Sequence, residues 1–137
     1  MATITFKKFL ELADYKLTYL ISGMFTGTGY AINEKNDGEY DKVKAELKET
    51  WPKDDSFGPC IEDIFAEMLR RGMTVVVTDP EGKDHDVTLA DFEKGLQALI
   101  DHAKDTNAFA DYLQGNADAC SDLNFIDCII FGEPVYG

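Results

Sequence analysis

Two histidines, three cysteines and 26 carboxylates are the side chains of this 137-residue chain that could move a proton, attack a bond or hold a metal ion. A His-based nucleophilic site would have to set His85 or His102 beside Cys60, Cys120, Cys128 or a serine. No local motif joins any such pair. Cys128 lies inside the apolar run Ile126 to Ile130 and reads as a small buried hydrophobe, so its thiol is expected to be inert.

The segment DPEGKDHD groups Asp79, Glu81, Asp84 and Asp86 around His85, a set that could hold a divalent ion if the turn converged them. The same residues are what a solvated hairpin turn favours. Gly23, Gly27 and Gly29 match neither the G-x-G-x-x-G nor the G-x-x-x-x-G-K-[ST] phosphate loop and read as structural. Asn33 to Lys44 places Gly38 at the sixth position of a calcium-type loop, but Lys35 and Lys44 stand where carboxylates are needed. No catalytic residue, cofactor or metal ligand is therefore assigned.

The acidic side chains are the one feature that survives this comparison. Residues 101–137 carry seven carboxylates against one lysine, and Asp101, Asp105, Asp111, Asp118, Asp122 and Asp127 are spaced along them. Such a row could engage an arginine-rich partner or imitate the phosphates of nucleic acid. Its plainer reading is a solubilising surface.

The elements that must position these residues follow from periodicity. After Thr3 or Thr5 as a cap, Phe6, Phe9, Leu10, Ala13, Leu17, Leu20, Ile21 and Met24 predict one long helix, ended by the glycines near 27. GTGTGYAI predicts a tight loop or short extended segment, and NEKNDGEYD a solvated turn. Tyr40, Val43, Leu47 and Trp51 predict a mostly exposed helix stopping before Pro52, and Ile61 to Leu69 a third helix with Pro59 in its first turn and Gly72 as its cap. MTVVVTDPEGKDHDVTL reads as a β-hairpin turning at 79–83.

Thr88 with Asp91 three residues on predicts a capped helix carrying Leu89, Phe92, Leu96, Leu99 and Ile100, in which Gly95 implies close packing. A short helix follows over 109–113. Ser121 is the expected cap of a last helix, apolar nearly all round and hence central, that ends at Gly132. The expectation is a single α+β domain over 1–137, a mostly helical layer packed on a small antiparallel sheet.

Length and 45% hydrophobic content are enough for one core, and 16 aromatic residues argue against disorder. A net charge of −13 repels nucleic acid and anionic membrane. An odd number of cysteines without a CxxC pair excludes a fully paired disulfide framework, and Met1 to Phe9 carries charge where a secretory signal needs its apolar core. The chain is expected in the cytoplasm.

The C-terminal half holds a TL-x-x-x-x-x-G helix at Thr88–Gly95, an F-A-D-x-L step at Phe109–Leu113, N-x-D-A at Asn116–Ala119 and F-G-E-x-V-Y-G at Phe131–Gly137, with an echo of G-x-G-Y at Gly27–Tyr30. These resemble a group of uncharacterised small acidic proteins of bacteriophages and prophages. The resemblance implies a mobile-element origin, a host-cytoplasm location and a non-enzymatic interaction protein, with no family activity to carry over.

The expected function is accordingly a non-enzymatic protein whose acidic residues bind a basic host protein, such as a nucleic-acid-binding defence enzyme. The rivals are a small metal-assisted hydrolase or transferase using Asp, Glu and His, and a structural or assembly protein whose charge only solubilises it.

Overall fold

Thr5 accepts the Lys8 N–H at 3.2 Å and so starts the first helix, in a computed structural model that describes residues 4–137. The elements run α1 (Phe6–Leu12), α2 (Leu17–Met24), β1 (Ala31–Glu34), α3 (Glu39–Thr50), α4 (Ile61–Arg70), β2 (Val75–Thr78), β3 (Asp84–Val87), α5 (Leu89–Asp101), α6 (Ala108–Gln114) and α7 (Ala119–Phe131). Helices packed on a small antiparallel sheet make the chain an α+β protein.

The single helix expected over 6–24 is two. Tyr15 N–H donates to Leu10 O at 3.1 Å and Asp14 N–H to Glu11 O at 3.3 Å, the paired bonds that close a Schellman turn. Asp14 sits at the left-handed position of that turn with φ 54°, where glycine is usual, so neither Gly nor Pro marks the break. The apolar spacing nonetheless carries across it, because Phe9, Ala13, Leu17 and Leu20 from both helices enter one core.

The sheet has the order β1-β2-β3, both pairings antiparallel, with Ile32 opposite Val77 and Val77 opposite His85. The solvated turn expected over 33–41 thus begins two residues late, since Asn33 and Glu34 belong to β1. Val75 and Val77 of the central strand are buried on the face toward α4. The hairpin turn closes through Gly82 N–H to Asp79 O at 2.9 Å, with Gly82 at φ 86°.

α5 starts as its sequence implies, with Thr88 and Asp91 forming the reciprocal cap. It packs along α7, and Gly95 is the point of closest approach: a Cβ there would lie 2.8 Å from Ile129 Cα and 3.0 Å from its N. α7 begins two residues before Ser121. Asp118 is its cap, accepting from Cys120 and Ser121 N–H at 3.0 and 3.1 Å, while Ser121 takes the third helical position and returns a bond to the Asp118 N–H.

Phe125, Ile126, Asp127 and Cys128 of α7 are buried in succession, so the helix is enclosed on most sides as its apolar circumference predicts. Phe9, Tyr112 and Phe125 meet edge-on or tilted with centroids 5.6 to 5.9 Å apart, joining α1, α6 and α7.

Candidate functional site

The six aspartates of the C-terminal third divide into three environments. Asp101 and Asp105 are exposed at the end of α5 and in the turn after it, where Gln97 Nε2 and His102 Nδ1 approach them at 2.9 Å each. Asp111, Asp118 and Asp122 gather where α6 meets α7. Ser121 Oγ lies 3.3 Å from Asp111 Oδ2 and 3.3 Å from Asp118 Oδ1, and its one proton can serve only one of them at a time.

Asp118 stays well supplied with donors from the first turn of α7, led by the Ser121 N–H, and its carboxyl is held below the usual range. Asp122 is half-buried. Burial pushes its carboxyl up against the opposing effect of the Tyr112 hydroxyl, which donates to it at 2.5 Å. The carboxylate lies against α2 at Gly23, where any Cβ would overlap it.

Asp127 does not belong to an acidic face. It is 0% exposed, Oδ1 accepts the Tyr30 hydroxyl at 2.7 Å, and Oδ2 accepts the backbone N–H groups of Val135, Tyr136 and Gly137 at 2.9, 2.7 and 3.0 Å. A carboxylate buried in the apolar circumference of α7 requires such donors, and the segment after Gly132 folds back to supply them. Burial and this carboxylate together raise the Tyr30 hydroxyl far above its ordinary range. Tyr30 and Tyr136 lie in the G-x-G-Y and F-G-E-x-V-Y-G segments and Asn124 in none; none of these assigns a buried contact, and the signal for the clasp is a carboxylate inside the run Phe125–Ile130.

The carboxylates of the 79–86 turn diverge. Asp79 turns inward and is 4% exposed; its Oδ1 accepts from Glu81 and Lys83 N–H, and its Oδ2 lies 2.8 Å from His85 Nε2. The His85 contact is the largest influence holding the Asp79 carboxyl low. Asp84 accepts from the Thr78 hydroxyl at 2.7 Å and Asp86 pairs with Lys35 at 2.9 Å. Among the described residues no three His, Cys, Asp or Glu side chains converge as metal ligands.

The buried Asp79 holds His85 at the Nε2 edge of its ring, and Phe131 meets that ring in a T-shaped pair at 5.6 Å. A carboxylate orienting an imidazole is half of a general-base arrangement. Here it locks the two ends of the hairpin, since both residues flank its turn. Cys60 and Cys120 are exposed, while Cys128 is buried and burial pushes its thiol up to about 12, which holds it protonated.

A groove of about 650 Å³ runs between α1, the following turn, the end of α4 and the start of α5. Phe6, Leu10, Leu17 and Leu89 line it, with Lys16 and Arg70 set against Asp14 and Glu93 at its rim. Its charges balance, so it offers no preference for either sign. No helix among the described residues is long and apolar enough to cross a membrane. Comparison with protein-family models, with curated proteins and with solved structures finds no match.

Proposed function

We propose that this chain is a non-enzymatic acidic protein of phage or prophage type that acts in the host cytoplasm by capturing a basic host protein. The observation that carries this reading is the seven-to-one acidic excess of residues 101–137, whose Asp101, Asp105 and Asp118 are exposed and whose Asp111 and Asp122 are partly so. Exposed like charges raise the local concentration of a cationic partner and speed its approach. A nucleic-acid-binding defence enzyme, with its arginine-lined groove, is the class of partner such spaced carboxylates suit.

Affinity capture from host lysate over a series of salt concentrations tests it. Recovery of a basic protein that is lost as salt rises is the expected result, because exposed charges are screened beyond about 8–10 Å at ordinary ionic strength. A partner retained equally at low and high salt would count against a charge-driven mode.

The metal-assisted reading finds less support, since Asp79, Asp84 and Asp86 are each turned to a different partner. Among the described residues no specific contact favours the assembly reading.

A further inference from the structure

The segment after Gly132 is bound to the rest of the protein largely through its backbone donors. All three of its bonds to Asp127 come from main-chain N–H groups. Val135 and Tyr136 are 47% and 37% exposed, so the segment lies at the surface and the Tyr136 ring is its main apolar contact. The Tyr136 ring lies against Tyr30 and Phe131 with centroids 6.2 and 6.1 Å away. Asn124, one helical turn before Asp127, faces Gly137 so closely that any Cβ there would overlap its Oδ1. That Oδ1 is nevertheless buried without a hydrogen-bond partner.

We propose that residues 133–137 form a releasable strap over an arginine-binding cleft. When the strap lifts, Asp127 and Asn124 receive the guanidinium of a cationic partner, and the ring space left by Tyr136 between Tyr30 and Phe131 takes its planar face. The proposal rests on the basic-partner reading above and adds a regulated contact to it.

The chemistry of the cleft selects this ligand. Asp127 Oδ2 and Asn124 Oδ1 are both acceptors, so whatever replaces the strap must bring N–H donors. A guanidinium carries five in a rigid plane, matches a carboxylate in fork geometry and stacks on aromatic rings. It also reaches the orphan Asn124 oxygen, which the strap leaves unsatisfied. A lysine brings three donors on one compact, strongly hydrated charge, with no planar fork to match the carboxylate and no flat face to fill the ring space. The strap's three N–H groups stand in for the guanidinium while the cleft is closed.

Hydrogen exchange at Val135, Tyr136 and Gly137 in the full chain tests this, with the tripeptide Gly-Arg-Gly as probe and Gly-Lys-Gly as control. Gly137→Val drives the strap from Asn124 and leaves both acceptor residues, Asp127 and Asn124, in the chain. The expected result is strap amides exchanging faster while α7 keeps its protection. A tenfold rise in the open fraction should then lower the apparent Kd for Gly-Arg-Gly by about the same tenfold, because the closed fraction no longer competes. Gly-Lys-Gly should show no such gain.

Asp127→Asn should free the strap and lose the arginine preference. If it also unfolds α7, Gly137→Val decides alone. Strap amides equally protected in Gly137→Val and parent, an open strap with unchanged tripeptide affinity, or equal effects of arginine and lysine tripeptides would each overturn the proposal. Because no protein partner is present, such a failure leaves the exposed aspartates of the proposed function untouched.

Discussion

The Tyr30 hydroxyl donates to Asp127 at 2.7 Å across 97 positions of sequence, joining the residue before β1 to the middle of α7. Tyr30→Phe removes this donor and leaves one oxygen of a buried carboxylate short of a partner, while the ring's packing survives. We expect a loss of about 1–3 kcal/mol in urea unfolding, with the slope unchanged. Stability equal to the parent would show that water replaces the hydroxyl at no cost.

Gly95 sets the distance between α5 and α7. Gly95→Ala should destabilise by roughly 1–3 kcal/mol despite alanine's better helix propensity, because the added methyl meets Ile129 Cα and N as well as its Cγ1, and the backbone atoms cannot swing aside. Trimming Ile129 to Ala should fail to restore the loss, since those backbone atoms stay in place. A stabilised Gly95→Ala variant in thermal unfolding would refute the close approach.

The three thiols should separate into two rates. Exposed Cys60 and Cys120 should react with an aromatic disulfide reagent in the native protein, and Cys128 only when the protein opens, because it is buried and its thiol is pushed up to about 12. Rapid native labelling of all three would contradict the packing of α7 and restore a nucleophilic role for Cys128.

Asp14 holds a left-handed conformation at the end of α1, where its charge also opposes the helix dipole. Asp14→Gly should stabilise by about 0.5–1 kcal/mol, the relief of backbone strain exceeding glycine's added freedom in the unfolded chain. A lower midpoint in denaturant would mean that the carboxylate makes a compensating contact.

These cases also mark where the amino-acid sequence is readable. α5 is legible from Thr88 onward because cap and apolar period agree, and Gly95 within it signals close packing. The break after α1 was hidden, since Asp14 takes a glycine's role and both helices feed the same core, leaving the apolar period uninterrupted. β1 was ambiguous because only four residues pair and the glycines before it signal a loop.

Among the candidate site residues, Asp101 and Asp105 lie in water as their type suggests. Asp127 does not, because its donors come from a tail whose return path no periodicity encodes. A carboxylate flanked by Phe125, Ile126, Cys128 and Ile129 was the only warning, since an apolar enclosure demands that such a charge be paired. Asp122 is intermediate for a similar reason: Gly23 on α2 leaves room for it.

Binding of the captured basic partner to the parent and to a variant with Asp101, Asp105, Asp111 and Asp118 all changed to Asn measures the role of the acidic surface most directly. Asp122 is left intact because the Tyr112 hydroxyl depends on it, and asparagine at 118 keeps an oxygen for the α7 cap. The account predicts a retained fold with at most about 1 kcal/mol lost at the α7 cap, affinity about ten- to a hundredfold weaker at low salt, and a shallower dependence on salt. Isotherms for parent and variant that coincide at every salt concentration would contradict it and leave the charge as a means of staying dissolved.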